Sequence, residues 1–158
     1  MSSAHDRAIL NSIFNPLLPV GECVFDEDIP VELKEVDEES PENEGAKAKE
    51  IEGVKAAESG DVETAIKCFS AAIDMVPTRA SGYNNRAQAL RLQGKIEDAT
   101  TDLDKAITLS EGKGRAACQA YTQRAMIYRL RNEDELARAD FQAAANLGSE
   151  FAKAQVRH

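Results

Sequence analysis

The sequence predicts an all-α fold, a stack of three helix-turn-helix units, and three observations carry that expectation. A seven-residue motif, Gly60-Asp61-Val62-Glu63-Thr64-Ala65-Ile66, recurs 34 residues later as Gly94-Lys95-Ile96-Glu97-Asp98-Ala99-Thr100, and a degenerate copy, Asn132-Glu133-Asp134-Glu135-Leu136-Ala137-Arg138, follows after 38 more. Small and large apolar residues hold fixed places around each copy. Alanine is abundant, tryptophan is absent and only 5 of 158 residues are proline, a composition that favours close-packed helices over strands.

The elements follow in chain order. Within residues 1–21, Ser3 with Asp6 three residues on is a helix start, and Ile9, Leu10, Ile13 and Phe14 recur at helical spacing before Pro16. A short amphipathic helix is expected there. It is too short to hold alone, so its apolar face must dock: on the repeat body first, on a partner second, and on a membrane last because Arg7 is its only basic residue.

Residues 22–44 hold eleven acidic residues against Lys34, a local net charge of −10 out of −9 for the whole chain, while residues 45–158 sum to +1. Such a stretch buries too little apolar surface to order itself, so it reads as a disordered acidic linker. Its plain role is a solvated spacer; its sharper role is an acidic tail that competes with ligands for the repeat body.

The units fall at 46–79, 80–113 and 118–151 within a body spanning 45–158. Gly53, Ala87 and Ala125 stand twelve residues before Ala65, Ala99 and Ala137, and these small side chains let two antiparallel helices approach closely. Phe69, Leu103 and Phe141, then Ala72, Ala106 and Ala144, continue one apolar stripe along each second helix. Pro77 ends the first unit. Four extra residues separate the second and third units and Asn132 replaces the turn glycine, so a looser junction is expected there. Gly148 and Ser149 are a helix stop and start for a cap helix over 149–158 that carries Phe151, Ala154 and Val156.

Period and pattern together resemble the tetratricopeptide repeat (TPR) family over about two thirds of the chain. The resemblance implies a right-handed superhelix of three TPR helix-turn-helix repeats with a short C-terminal cap helix, preceded by the short helix and the acidic linker. It also implies a concave groove lined by the first helix of each repeat. In this chain that groove should present Asn84, Asn85, Gln88 and Arg91 from the second repeat, and Gln119, Thr122, Gln123, Met126 and Arg129 from the third. Amides there can donate and accept along a peptide backbone, and arginine can grip a carboxylate with two parallel hydrogen bonds.

Chaperone-binding members of the family hold the acidic C-termini of heat-shock chaperones in a five-residue carboxylate clamp. Only Asn85 matches it. Glu50 and Val54 stand at the first repeat's lysine and asparagine positions, and Gln119 and Gln123 at the third repeat's lysine and arginine positions. A heat-shock chaperone is therefore a partner only without the full clamp. Ile13-Phe14-Asn15-Pro16, the run from Ala80 to Gln88 and Gly112-Lys113-Gly114-Arg115-Ala116-Ala117 resemble more closely a small branch of the family, in which an acidic linker precedes three repeats. That resemblance implies an adaptor associated with chaperone binding, cilium assembly, and tyrosine catabolism through a protein partner.

Composition narrows the other classes. No basic stripe interleaved with aromatics is present, so nucleic acid is not an expected partner. No apolar run approaches the roughly 20 residues that span a bilayer, and the N-terminus lacks a signal-peptide core, which points to a cytoplasmic or also nuclear protein. Cys23, Cys68 and Cys118 are widely spaced and read as free thiols, and His5 and His158 lie at opposite ends, so neither a metal site nor a cofactor is expected. Glu97, Asp98 and Asp102 cluster without a histidine, which reads as a solvated helix face and not as a catalytic group. The expected protein is a monomeric, non-enzymatic adaptor, with a structural subunit using the convex face or the N-terminal helix as the alternative.

Overall fold

The structure, a computed structural model, describes residues 40–157. Seven helices follow one another there: α1 Pro41–Glu58, α2 Val62–Met75, α3 Ala80–Leu92, α4 Ile96–Ser110, α5 Gly114–Leu130, α6 Asp134–Asn146 and α7 Glu150–Val156. They form three antiparallel hairpins, α1 with α2, α3 with α4 and α5 with α6, and α7 closes on α6. The expected N-terminal helix with Ile9, Leu10, Ile13 and Phe14 lies outside the described residues, as do Cys23 and His158.

Residues 22–39 of the expected acidic linker also lie outside the described residues, and residues 41–44, which the expectation included in it, are the first turn of α1. Ser40 caps that turn, its hydroxyl accepting from the Asn43 N–H at 3.1 Å. Pro41 supplies a preset first residue that needs no amide hydrogen, and Glu42 and Glu44 face the positive end of the helix dipole. These acids belong to a helix start. Asp61 caps α2 in the same way through Thr64 N–H, and that bond holds its carboxyl below the ordinary aspartate value. Ser149 caps α7 through Ala152 N–H at 3.0 Å.

Each hairpin turns on a left-handed residue: Gly60 at φ 89°, Gly94 at φ 78° and Asn132 at φ 61°. Beside each, the same backbone bond closes the turn at 2.9 Å, from Asp61 N–H to Ala56 O, Lys95 N–H to Leu90 O and Glu133 N–H to Tyr128 O. Asn132 therefore does the glycine's work, as asparagine tolerates this conformation best among residues with a side chain.

The repeated small and large residues form the core. Gly53, Ala65, Phe69 and Ala72 are buried in the first hairpin, Ala87, Ala99, Leu103 and Ala106 in the second, and Ala125, Ala137, Phe141 and Ala144 in the third. Neighbouring hairpins share it: Ile73 from α2 and Ala120 and Ile127 from α5 pack in the cluster around Leu103. α7 adds Ala152 and Phe151, whose ring meets Phe141 edge-on at 6.0 Å.

The looser junction expected between the second and third units is absent. The four extra residues become one additional turn at the start of α5, which has 17 residues where α3 has 13. A helix turn takes about 3.6 residues, so the insertion keeps every later side chain on its original face. Packing of α4 on α5 is accordingly as extensive as that of α2 on α3. The cysteines also depart from expectation: Cys68 is a free thiol, whereas the fully buried Cys118 is disulfide-bonded.

Candidate partner-binding face

Three hairpins joined by short turns run their first helices, α1, α3 and α5, parallel to one another. These first helices touch their successors, α1 against α3 and α3 against α5, while the second helices do not pack on one another to a comparable degree. A stack whose layers approach more closely on one side curves toward that side. The first helices therefore form the inner face.

Charge is sorted between the two sides in the second and third hairpins, though not in the first, where α1 carries five acidic residues against three lysines. Helices α3 and α5 carry five arginines and no acidic residue. Helices α4 and α6, on the outer side, carry seven acidic residues against Lys105 and Arg138. Part of this opposition is consumed inside each unit. The Arg86 guanidinium grips the Asp102 carboxylate with two bonds of 2.8 and 2.9 Å and reaches Ser70 of the preceding unit. Arg124 repeats the arrangement with Asp140 at 2.7 and 2.9 Å and reaches Asp104 at 2.8 Å. Hydrogen bonding to Asp102 and to Asp140 raises the pKa of Arg86 and Arg124 respectively above the ordinary arginine value.

Asp102 is therefore buried and paired, which corrects its reading as part of a solvated face; Glu97 and Asp98 are exposed as expected. The pairs were missed because both partners look like surface residues in the sequence. Their signal was an arginine followed sixteen residues later by an aspartate, present in two units displaced by 38.

The nine groove residues divide. Asn84, Gln88, Thr122 and Gln123 are buried, Asn85, Arg91, Gln119 and Met126 are half-buried, and Arg129 is exposed. Asn84, Gln119 and Gln123 form an amide relay between α3 and α5: Gln123 Nε2 donates to Asn84 Oδ1 at 2.6 Å, and Asn84 Nδ2 donates to Gln119 Oε1 at 2.7 Å. The relay joins two repeats and leaves Gln119 as its half-exposed end. Thr122 turns its hydroxyl to the Cys118 carbonyl of its own helix at 2.8 Å.

Met126 packs on the third hairpin's core, and the Arg129 guanidinium sits 4.6 Å from the Phe141 ring centroid in a cation–π contact. So the face is more tightly built than a row of solvated amides. Burial lowers the Arg91 guanidinium to about 10, which leaves it cationic at neutral pH.

Glu50, the acidic residue at a clamp position, is also structural. Its carboxylate accepts from Arg79 at 2.9 Å and from the Ser81 hydroxyl at 2.5 Å, tying α1 to the start of α3. Ile51 and Leu130, which lie on the first helices α1 and α5, stay 57% and 67% exposed. No cluster of three or more metal-ligating side chains occurs among the described residues, and no described helix is long and apolar enough to cross a membrane.

Comparison with known proteins places this architecture. The model of a family described as tetratricopeptide repeat matches residues 80–113, the second hairpin with its flanking turns. The first TPR of Spaghetti (RPAP3), solved with HSP90 peptide SRMEEVD, aligns with a TM-score of 0.65 at 23% identity, over 73% of this chain and 92% of that one. The second TPR of Spaghetti, solved with the same peptide, aligns at 0.59 and 25% identity, over 66% and 94%. Tetratricopeptide repeat protein 36 of Danio rerio is 50% identical over 170 residues, covering 99% of this chain and 84% of the relative. The human protein of that name is 48% identical over 161 residues, covering 99% and 85%. Identity at this level across nearly the whole chain, on three stacked hairpins whose shape matches solved TPR domains, means that the chain belongs to the tetratricopeptide repeat protein 36 family.

Proposed function

We propose that this protein is a non-enzymatic adaptor that holds a partner polypeptide against the face formed by α1, α3 and α5. The observation that carries the reading is the charge sorting in the second and third hairpins: α3 and α5 carry arginines and amides without a single acidic residue, although Arg86 and Arg124 are spent on Asp102 and Asp140 and α1 carries both signs. Asn85, Arg91 and the half-exposed end of the relay at Gln119 offer hydrogen bonds to a peptide backbone and a cation to an acidic side chain. The second TPR of Spaghetti, 25% identical, is solved with an acidic HSP90 peptide, which supports a cochaperone-like role; that this role is played in the cytoplasm is proposed from the sequence alone. Binding would proceed without a full carboxylate clamp, because Glu50 is spent on Arg79 and Ser81 and Gln123 is spent on Asn84. The resemblance drawn from sequence extends the proposal to cilium assembly or to stabilising an enzyme of tyrosine catabolism.

Fluorescence anisotropy with labelled SRMEEVD peptide tests the face. Asn85→Ala with Arg91→Gln should weaken binding about tenfold or more, with helicity retained by circular dichroism. Unchanged affinity would remove the inner face from the proposal. A second reading, a structural subunit of a larger assembly, is favoured by Leu136, which is 50% exposed on the outer helix α6. Light scattering separates the two, since an adaptor of this kind should be monomeric when free.

A further inference from the structure

The guanidiniums of α3 and α5 are all in use within the protein. Arg86 and Arg124 grip Asp102 and Asp140, Arg129 sits over the Phe141 ring, and Arg91 and Arg115 make interactions of their own. Helix α1 brings five acidic residues to the same layer of helices, and Glu50 among them is tied to Arg79 and Ser81. The amides are in the opposite state. Asn85 and Gln88, one turn apart on α3, have no hydrogen-bond partner among the described residues, although Gln88 is only 4% exposed. Leaving a buried amide unmet is costly, so a group in that state calls for an explanation.

The amide relay ends in the same way. Gln123 is fully buried, its Nε2 donates to Asn84 Oδ1, and its Oε1 has no partner among the described residues. Turning the three amides over would put Gln123 Nε2 in that place, and an unmet buried N–H is rarer in folded proteins than an unmet carbonyl oxygen. The relay therefore runs from Gln123 through Asn84 to Gln119. Asn84 occupies Gln119 Oε1 at 2.7 Å, which leaves the Nε2 of this half-buried side chain to donate outward.

We propose that the inner face recognises an internal, extended segment of its partner through the main chain, with Gln119 Nε2 donating to a backbone carbonyl oxygen and the Asn85 and Gln88 amides pairing with neighbouring peptide groups. Neither a free C-terminus nor acidic side chains are required. A peptide group donates and accepts as a side-chain amide does, and it brings no charge that the face must strip of water. Asn84 and Gln123 touch no partner in this arrangement; they are positioning residues that keep the donor end of Gln119 outward. This chemistry rests on the inner face being the binding face.

The test is fluorescence anisotropy on the full chain with labelled SRMEEVD, the same peptide amidated at its C-terminus, and amidated SRMQQVN, which has no acid at all. All should bind within about threefold of one another, and raising salt from about 20 to about 500 mM should change each affinity by no more than about threefold. Gln119→Glu keeps an oxygen for Asn84 but turns another outward, so it should weaken amidated SRMQQVN about tenfold with helicity retained. Asn84→Asp still accepts from Gln123 but cannot donate to Gln119, and should weaken the same peptide about threefold; adding Gln119→Lys, a donor in any orientation, should restore it. In the nitrogen–proton NMR spectrum of wild type, the Gln119 side-chain amide signal, assigned by its absence from Gln119→Glu, should shift on adding amidated SRMQQVN. A more than tenfold preference for SRMEEVD with its free acids, a more than tenfold loss at high salt, or binding that survives Gln119→Glu with the Gln119 signal unmoved overturns the inference and leaves the adaptor reading standing. Binding of none of the peptides at millimolar concentration sinks both.

Discussion

Gly53 stands where the other units have Ala87 and Ala125, and the Phe69 ring occupies the space that a Cβ there would need. A Cβ at Gly53 would lie 2.4 Å from Phe69 Cε1, a separation that forces the ring or the helix to move. In the second unit Ala87 shares its cluster with the smaller Leu103, and the third unit accommodates Phe141, which contacts Phe151 and the Arg129 guanidinium, beside Ala125, so ring placement and not ring type sets the limit. Two effects oppose each other in Gly53→Ala. Helix propensity favours alanine by about 1 kcal/mol, while overpacking costs about 1–3 kcal/mol. Overpacking should win, and urea denaturation should show the single variant destabilised. Gly53→Ala with Phe69→Leu, which copies the second unit's pair, should recover most of the loss; failure to recover would mean that the ring is not the obstacle. Two turn residues give a second expectation of opposite sign. Glu111 at φ 56° and Asn132 at φ 61° occupy the left-handed region that glycine enters freely. Glu111→Gly should stabilise by about 1 kcal/mol and Asn132→Gly by less, because asparagine already tolerates the conformation. A larger gain at Asn132 than at Glu111 in thermal denaturation would contradict this account.

Between elements, the arginine rungs do more than the exposed ion pairs. Arg124 ties its own helix α5 to α6 through Asp140 and to α4 through Asp104, so a single side chain spans two units. Asp140 is buried, and removing it strands a partly buried guanidinium, which costs about 2–4 kcal/mol after allowing for the solvent that Arg124 still sees. Asp98 is exposed and has no such role. Denaturation of Asp140→Ala beside Asp98→Ala should therefore show a clear loss in the first and a change within about 0.5 kcal/mol in the second. The buried alanines Ala65 and Ala99 mark the same helix contacts from the apolar side, and enlarging either to leucine should destabilise by about 1–3 kcal/mol through overpacking. These alanines were legible in the sequence because the 34-residue repeat exposes positions that must stay small. The rungs were not, since a charged residue reads as surface until its partner, sixteen residues away on another helix, is brought beside it. For the same reason Asn84, Gln88, Thr122 and Gln123 were assigned to the right helices but to the wrong environment. Periodicity places a residue on a face, but whether a neighbouring helix covers that face depends on how closely α3 and α5 approach. The four-residue insertion was visible as a number and misjudged as looseness, because one helical turn absorbs it without shifting any face.

For the molecule as a whole, stability is distributed along the stack and not held in one centre. Each hairpin packs only on its neighbours, so the free energy resembles a sum of unit terms and interface terms, and local opening is easiest where a unit has one interface. The second hairpin has two. Its cluster draws Ile73 from the unit before and Ala120 and Ile127 from the unit after, and the Glu50 carboxylate and the amide relay pin α3 on both sides. Helix α7 is the opposite case: seven residues, a single buried side chain at Ala152, and contact with α6 alone among the helices it packs on extensively. Native-state hydrogen exchange should therefore be slowest at amides in the middle of α3, α4 and α5 and fastest in α7. The difference in protection should be about 100-fold or more, since even about 3 kcal/mol of additional opening free energy suffices for it. Asp140→Ala should then accelerate exchange in α5, α6 and α7 while leaving the amides of α1 and α2 near their original rates, because only one interface separates the altered rung from α7 and two separate it from α1. Uniform acceleration along all seven helices would instead show that the stack opens only as one cooperative unit, and that the partner-binding face cannot loosen at one end while it is held at the other.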